Sequence, residues 1–208
     1  MGGLSLVLLA AGESRRLGVP KALAKLREEE PSQSLSILLT HGRAHFEEPP
    51  LVIAGAHYKE ISDALGSWRQ EAKLHLNPNW KAGRSGGIQL AHTLRPHDDL
   101  CLAPLDVPAI ESEVFAMLVR AWHQNAAPPM GWLAPFFRDD SNRKHFGHPL
   151  ICGRELLERL ATLPPETPLR RLRDAARPLL ACPVPFVSIL DDLDTPQDLE
   201  RIRARLCS

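Results

Sequence analysis

The chain has 208 residues, of which 44% are hydrophobic and 24% are charged, as is typical of globular proteins. Its 25 Lys and Arg residues balance its 25 Asp and Glu residues, so no overall field attracts it to nucleic acid or to an anionic membrane, and we expect neither as a partner. The length predicts a single domain, residues 1–208, that can bury a core of its own.

Strand-like and helix-like segments alternate along the chain. The pattern predicts strands at 4–10, 51–54, 74–76, 100–105, 150–152 and 184–189, the last preceded by prolines and therefore expected at a sheet edge. It predicts helices at 35–46, 59–70, 88–94, 111–124, 154–163, 169–176 and 196–206, the last with Thr195 as N-cap. Residues 22–30 are expected to form a short arm, 77–87 a polar loop and 128–148 an irregular segment. This alternation predicts an α/β fold with a mostly parallel sheet.

The four cysteines are scattered, with no C-x-x-C pair. This argues against a zinc site or a disulfide framework and favours reduced thiols, so we expect a cytoplasmic protein. No basic region precedes the short apolar run at the N-terminus, and no segment has the length needed to cross a bilayer. We therefore expect neither a signal peptide nor a membrane span.

The first predicted strand ends in a loop with two glycines, two arginines, a serine and a lysine, Gly12-Glu-Ser-Arg-Arg-Leu-Gly-Val-Pro-Lys21. Glycine allows the backbone to approach an anion, and free N–H groups with Arg and Lys supply a positive field. The spacing fits neither the P-loop nor the dinucleotide fingerprint G-x-G-x-x-G. The loop therefore indicates a phosphate site of another kind.

Together with the residues before it, this loop matches L-A-A-G-x-S-x-R-x-G-x-P-K at every fixed position. It resembles the signature loop of MobA-like NTP transferases, nucleotidyltransferases of the molybdenum cofactor type. The resemblance implies a three-layer, Rossmann-like nucleotidyltransferase fold, with helices on both faces of a mostly parallel, mixed sheet. It also implies that Arg16 and Lys21 hold the triphosphate and stabilise the transition state. Further nucleotide contacts are implied for Leu9, Ala10, Ala11, Gly12 and Ser14, whereas Arg15 is not at a fixed position and is expected at the surface.

A second loop, Asn77-Pro-Asn-Trp-Lys-Ala-Gly-Arg-Ser-Gly-Gly87, resembles the family's second loop, where a glycine and a serine precede a helix that approaches the base and sugar. The resemblance implies that Asn77, Gly83 and Ser85 bind the nucleotide, with Ser85 as the helix cap. On the residues alone, an ordinary capped turn explains this loop as well.

Asp106 stands just past a buried predicted strand, at the edge of a parallel sheet where ligands bind. The family has a metal-binding Asp followed two residues later by Pro, as here, which implies a Mg²⁺ ligand; an Asp that caps the next helix is the alternative. The segment 190–199 resembles the family's closing D-x-D-T-P-x-D-L. It implies Asp192 as the second Mg²⁺ ligand, with Asp194 next, and Asp198 as a support for the following helix.

Gly147-His-Pro149 resembles a G-x-P turn on the acceptor side of these enzymes, which implies that His148 contacts the acceptor; a plain surface histidine is the alternative. Asp174-Ala-Ala-Arg-Pro178 looks like the D-A-A-R-P of methylerythritol-phosphate cytidylyltransferases, in which the Asp binds metal. Because it follows a predicted helix here and Asp106 already fits that role, we expect Asp174 and Arg177 on a helix surface.

Ala11 bears on the choice of base. Family members that use CTP tend to read L-A-A-G, and guanylyltransferases L-A-G-G; a methyl group favours the smaller pyrimidine by about 1–3 kcal/mol. The resemblance thus implies a Mg²⁺-dependent enzyme that transfers CMP from CTP to a phosphorylated acceptor, molybdopterin or the molybdenum cofactor, with a molybdoenzyme or its chaperone as a further partner. The alternatives are a guanylyltransferase, an enzyme acting on a sugar or alditol phosphate, and a non-catalytic nucleotide- or cofactor-binding chaperone.

Overall fold

The structure is a computed structural model that describes residues 2–207. Its sheet contains eight strands. The strands are β1 (Leu4–Ala10), β2 (Leu51–Ala54), β3 (Lys73–Leu76), β4 (Asp99–Pro104), β5 (Trp132–Arg138), β6 (Lys144–Phe146), β7 (Leu150–Cys152) and β8 (Leu179–Pro183). The helices are α1 (Ser34–Arg43), α2 (Tyr58–Ala64), α3 (Arg84–Leu94), α4 (Ser112–Gln124), α5 (Arg154–Ala161), α6 (Leu169–Ala175) and α7 (Pro196–Leu206), with 3₁₀ turns at Lys21–Leu23, Gly66–Gln70, Trp80–Ala82 and Val187–Leu190.

The sheet is mixed. Strands β3, β2, β1 and β4 lie side by side in parallel, and β7 then pairs antiparallel with β4 and with β5. Strand β5 also pairs antiparallel with β6 and parallel with β8. The expected α/β fold with a mixed sheet is confirmed, and the carboxyl ends of β1 and β4 meet at one edge, where parallel sheets place their ligands.

Helices cover both faces of this sheet, because β1 is apolar on both. Leu6 and Leu8 belong to a cluster with residues of α1 and α4, whereas Val7 packs with residues of α3 and α5 on the other face. The amphipathic pattern of α5, with Leu156 and Leu160 buried one turn apart, is typical of a helix that covers a sheet. No helix within residues 2–207 combines the length and apolarity of a membrane span.

A third, smaller cluster brings the first loop next to the C-terminal segment. Leu17 from the loop packs with Leu26, Leu193 and Ile202, the last from α7. Helix α7 begins with a capping box, in which Thr195 and Asp198 exchange hydrogen bonds, so the predicted N-cap is confirmed. This cluster orients the acidic segment before α7 toward the end of β1.

Three predicted elements are wrong. The segment 128–148 is not irregular but contains β5 and β6; Pro135 lies within β5, where its carbonyl oxygen accepts a hydrogen bond from the Gly147 N–H. The predicted strand 184–189 is replaced by β8 and a 3₁₀ turn, so the strand lies earlier in the chain. The helix expected at 59–70 ends at Ala64, because Gly66 takes a positive φ of 49° and a 3₁₀ turn follows.

Candidate active site

The loop that follows β1 is closed by Ser14. Its carbonyl oxygen accepts hydrogen bonds from the N–H groups of Leu17 and Gly18, and its Oγ accepts one from the Lys21 N–H at 2.9 Å. Ser14 takes a φ of 55° and Gly18 a φ of 81°, both in the left-handed region. The Ser14 side chain thus stabilises the conformation of the loop and fixes the position of the Lys21 backbone.

A cleft of about 470 Å³ opens at the carboxyl ends of β1 and β4. This volume lies in the range of about 300–1,000 Å³ that is usual for small-molecule sites. The predicted site residues that line it are Leu9, Ala10, Ala11, Gly12, Ser14, Arg16, Lys21, Gly83, Asp106 and Asp194. The predicted residues Asn77, Ser85, His148 and Asp192, all within the described part of the chain, are not among the lining residues.

Arg16 and Lys21 converge on Asp194. The Arg16 guanidinium donates to one carboxylate oxygen at 2.8 Å and the Lys21 ammonium donates to the other at 2.6 Å. The Lys21 side chain is only 18% exposed and is therefore fixed in place, whereas that of Arg16 is 70% exposed. The hydrogen bond from Lys21, with the charge of Arg16, holds the pKa of Asp194 below its usual range.

Asp106 presents one unpaired oxygen. Its Oδ2 accepts a hydrogen bond of 2.8 Å from Arg84, while its Oδ1 is buried and has no partner among residues 2–207. A buried carboxylate oxygen without a donor is energetically costly, and it is a suitable ligand for a hard cation. The carbonyl oxygen of Asp106 accepts a hydrogen bond of 2.6 Å from Leu193, which ties it to the acidic segment before α7.

Asp192 lies close to this carboxylate. Partial desolvation and the negative charges of Asp106 and Asp194 raise the pKa of Asp192. Its carboxylate has no hydrogen bond or ion pair within the described residues, unlike that of Asp194. Across residues 2–207 no three His, Cys, Asp or Glu side chains are grouped so that they could hold a metal ion. Mg²⁺, however, usually takes one or two carboxylates and completes its shell with substrate phosphates and water, so Asp106 with one of these two carboxylates fits such an ion.

The predicted cap of the second loop is wrong. Helix α3 begins at Arg84 with Gly83 as its N-cap, at a φ of 132°, and no side chain caps it. Ser85 is already inside the helix, where its Oγ donates to the carbonyl oxygen of Thr167. Gly83 takes a φ that is open to glycine and strained for other residues, and the chain enters the helix there, two residues before the predicted cap. Asn77 is buried, and its Oδ1 accepts a hydrogen bond from the Asn79 N–H, so it shapes the turn.

The further residues that line the cleft, none of them among the predicted site residues, include His57, Ile61, Trp80 and Arg84. Trp80 and Arg84 lie inside the second loop, so the large aromatic ring of the first and the charge of the second could have marked them as candidates for ligand binding. His57 and Ile61 lie in a stretch without a motif. His57 is held by a hydrogen bond of 3.0 Å between its Nε2 and the Glu13 carbonyl oxygen, and so contacts the first loop directly.

Two expected surface positions agree with the structure. Arg15 lies at the rim of the cleft, largely exposed and paired with Glu13. Asp174 and Arg177, from the D-A-A-R-P sequence, are exposed at the end of α6 and just beyond it. Neither of these two residues lines the cleft; Asp174 lies on the helix surface as expected, whereas Arg177 is exposed just past the end of the helix.

His148 lies behind the cleft, near Asp106. Burial lowers the pKa of His148 to about 4, an effect that the charge of Asp106 opposes and that of Arg84 adds to. Its imidazole is therefore neutral at physiological pH. Its Nδ1 is buried without a partner among the described residues, and its backbone N–H donates to the Ile189 carbonyl oxygen at 3.1 Å. The acceptor contact stays a prediction.

Fold and site together define a class of enzyme. A glycine-rich cationic loop follows the first strand of an α/β sheet, and a carboxylate with a free oxygen follows β4 at the same edge, an arrangement that suits transfer of a nucleotide. The protein is a nucleotidyltransferase. The chain belongs to the family of the MobA-like NTP transferase domain, whose model matches residues 6–179.

Solved structures share this fold over the whole chain. Rv0371c from Mycobacterium tuberculosis H37Rv is 20% identical, with a TM-score of 0.75 over 98% of this chain and 99% of that chain. A nucleotidyl transferase from Methanothermobacter thermautotroptrophicus, Mth528, is 20% identical, with a TM-score of 0.73 over 100% and 99%. A CMP:2-keto-3-deoxy-manno-octonic acid synthetase in complex with CTP is 14% identical, with a TM-score of 0.71 over 99% and 99%. Rv0371c has also been solved in complex with manganese. Comparison with curated proteins gives no match.

Proposed function

We propose that this enzyme transfers CMP from CTP to a phosphorylated small molecule, the molybdenum cofactor, in a Mg²⁺-dependent reaction that releases pyrophosphate. One observation carries the proposal: Arg16, Lys21 and Asp106 line a single cleft, and a buried oxygen of Asp106 lacks a partner within residues 2–207. Two cations for a polyphosphate and a free carboxylate oxygen for a metal are what nucleotidyl transfer requires.

The triphosphate would lie against the first loop. The backbone at Gly12 is open to the cleft, since a Cβ atom added there would meet no protein atom within 4 Å. Phosphate oxygens would compete with Asp194 for Arg16 and Lys21, which offer a planar fork and a compact point charge. The Lys21 side chain is largely buried, and the Lys21 backbone N–H is held by Ser14 Oγ. Little further ordering of the side chain is therefore needed when the nucleotide binds.

Mg²⁺ would be held by Asp106 with Asp192 or Asp194. When bound, the ion neutralises charge on the triphosphate and on the phosphorus under attack. Of the two partners, Asp192 has the carboxylate that makes no hydrogen bond with Arg16 or Lys21. Its pKa is raised by desolvation and by the negative charges of Asp106 and Asp194, and a bound cation would offset both effects. The manganese complex of Rv0371c, a protein of the same fold, supports a divalent ion in this fold.

The reaction needs positioning more than acid–base chemistry. An oxygen of the acceptor phosphate attacks the α-phosphorus, a new P–O bond forms, and the P–O bond to the β-phosphate breaks as pyrophosphate leaves with the electron pair. The chain's own contribution is to hold two anions together and to stabilise the charge that develops between them. Neutral His148, close to Asp106, is proposed to contact the acceptor without adding charge.

The base would lie beyond Ala11, in the part of the cleft lined by His57, Ile61 and Trp80. The methyl group of Ala11 reduces the space for a base, which favours a pyrimidine. The synthetase that shares this fold was solved with CTP, which supports the same choice. The molybdenum cofactor as acceptor rests on the family to which the chain belongs.

The proposal is tested by pyrophosphate release with each of the four NTPs, Mg²⁺ and molybdenum cofactor. We expect release with CTP that requires both the metal and the acceptor, together with a CMP adduct of the cofactor. A preference for GTP would identify a guanylyltransferase, and release only with sugar or alditol phosphates would replace the acceptor. Tight nucleotide binding without release for any of these acceptors would support the non-catalytic chaperone instead.

A further inference from the structure

Arg84 is a charged residue of the cleft that the signature motifs do not include. It is the first residue of α3 and lines the cleft beside Asp106. One guanidinium nitrogen donates to Oδ2 of Asp106 at 2.8 Å, and the side chain has no other hydrogen bond or ion pair within residues 2–207. With 48% of the side chain exposed, the other N–H groups of the guanidinium are accessible from the cleft. Arg84 therefore has unused donors next to the carboxylate proposed to hold the metal.

The cations of the cleft form two separate groups. Arg16 and Lys21 bind Asp194, and Arg84 binds Asp106. The two groups are nevertheless neighbours, since the charges of Lys21 and Arg84 both oppose the rise in the pKa of Asp192 that desolvation and the nearby carboxylates cause. Because the reaction brings two anions to one place, a second group of positive charge next to the first has a clear use.

We propose that Arg84 binds the phosphate of the acceptor and so makes the cleft selective for phosphomonoesters over neutral hydroxyl compounds. This inference rests on the proposed function, in which Arg16 and Lys21 hold the triphosphate. One N–H of Nη2 stays on Asp106 while the second N–H of Nη2 and one N–H of Nη1 donate to two phosphate oxygens, a geometry that suits the planar fork of arginine and not the single ammonium of lysine. The acceptor phosphate is then held beside Asp106, next to the place where the α-phosphorus would lie.

Loss of the Arg84 side chain should change stability only modestly, since it is 48% exposed and its only ion pair among the described residues, with Asp106, is partly open to solvent. Its replacement is therefore a clean test of binding. The variants are Arg84→Met, Arg84→Lys and, as a control for the lost charge, Arg120→Met on the exposed surface of α4. Each protein is first titrated with Mg²⁺ and α,β-methylene CTP, which cannot be cleaved at the reacting bond. Inorganic phosphate, the simplest acceptor mimic, is then titrated into the saturated complex by calorimetry, with acetate at equal ionic strength as the comparison anion.

We expect Arg84→Met to weaken phosphate binding to the nucleotide complex by about tenfold or more, with less than about a threefold change in affinity for the nucleotide analogue. Arg84→Lys should fall between wild type and Arg84→Met, Arg120→Met should match wild type, and acetate should not reproduce the phosphate signal. Equal losses of phosphate and nucleotide affinity in Arg84→Met would assign Arg84 to the triphosphate and overturn the inference. Unchanged phosphate affinity in that variant would also overturn it.

The same titrations distinguish an error in the proposed function from an error in the role of Arg84. If the wild-type protein does not bind the nucleotide analogue, the proposed function is wrong, and the inference that rests on it is lost as well. If the analogue binds normally and phosphate binding is indifferent to Arg84, only the role of Arg84 is wrong. A wild-type complex that binds the analogue but shows no phosphate site counts against the inference alone.

Discussion

The backbone N–H of Leu193 donates a hydrogen bond of 2.6 Å to the carbonyl oxygen of Asp106, across 87 positions of the chain. The Leu193 side chain is fully buried in the cluster with Leu17 and Ile202. One residue thus joins the end of β4, the first loop and α7. Because Asp192 and Asp194 flank Leu193, its burial determines where both carboxylates lie.

Truncation of Leu193 should therefore damage stability and activity together. We expect Leu193→Ala to lower the free energy of unfolding by about 2–4 kcal/mol, through lost burial and the cavity that remains, and to reduce kcat by loosening Asp192 and Asp194. Urea unfolding and steady-state kinetics measure the two effects. Leu206→Ala, at a side chain of α7 that is 36% exposed, is the matched control and should cost less than about 1 kcal/mol. Equal costs at the two positions would contradict the importance of this cluster.

Asp106→Asn tests the metal site. The amide oxygen can still accept the hydrogen bond from Arg84, but the carboxylate charge is lost. We expect kcat to fall by roughly a hundredfold or more and the Mg²⁺ concentration for half-maximal rate to rise. Asp174→Asn makes the same chemical change at the exposed D-A-A-R-P sequence and should leave the Mg²⁺ dependence unaltered. If both variants responded alike, Asp106 would not be a metal ligand.

Lys21→Met should alter the acid side of the stability profile. The pKa of Asp194 is held low in the folded protein, chiefly by the hydrogen bond from Lys21, so this contribution to stability is present above the unfolded pKa of about 3.9 and is lost as the pH falls through the lower, folded value. Without Lys21, the pKa of Asp194 should rise, and the loss of stability below about pH 4 should become shallower.

Carboxyl NMR titration of Asp194 is the direct measurement for this variant, since the partial exposure of Asp194 keeps the stability effect small. The KM for CTP should rise by about tenfold, because the ammonium also faces the cleft. Lys59→Met, on the exposed side of α2, should change neither quantity. An unmoved Asp194 titration in Lys21→Met would mean that Lys21 does not control this carboxylate.

His148→Gln should flatten the dependence of stability on mildly acidic pH. The pKa of His148 is about 4 when folded and about 6.5 in the unfolded chain, so between these values the unfolded chain takes up a proton that the folded protein does not. Stability therefore falls as the pH drops from 6.5 toward 4, at up to about 1.4 kcal/mol per pH unit for this residue, and the residue adds no slope above 6.5.

Chemical unfolding of nucleotide-free protein in EDTA, from pH 4 to pH 8, measures this slope. Burial also lowers the pKa of His75 and His92, so His148→Gln should remove only part of it. His97→Gln, at an exposed position, should keep the wild-type slope. The prediction fails if His148→Gln and His97→Gln have the same profile.

Two glycines of the first loop should respond differently to alanine. Gly12 lies outside the left-handed region and faces open space, so Gly12→Ala should change the free energy of unfolding by less than about 0.5 kcal/mol while its methyl group obstructs the phosphates and raises the KM for CTP by about tenfold. Gly18 has a φ of 81°, so Gly18→Ala should cost about 1 kcal/mol. Thermal unfolding and nucleotide titration separate the two. A stability loss in Gly12→Ala as large as that in Gly18→Ala would show that Gly12 is needed for the loop itself.

Prediction from the sequence succeeded where the pattern was local. Strands β1, β2 and β7 and the cap of α7 were predicted with the observed bounds or residues, because apolar runs and capping residues act within a few positions. It failed at β5, which was expected to be irregular and is stabilised as a strand by pairing with β6, β7 and β8. It also failed at Ser85, because the unusual conformation of Gly83 decides where α3 begins.

The sequence by itself determined the chemistry available to this protein: the family, the α/β class and the two cationic and acidic segments follow from residue types at fixed spacing. Only the tertiary structure decided which of these groups meet. Lys21 and Asp194 are 173 positions apart and become partners because Leu17 and Leu193 are buried in one cluster. Tertiary packing also brought Arg84 within hydrogen-bonding distance of Asp106, and it left Asp192 beside the cleft but outside its lining. Such distances depend on how apolar surfaces from remote segments pack together, which no short motif encodes.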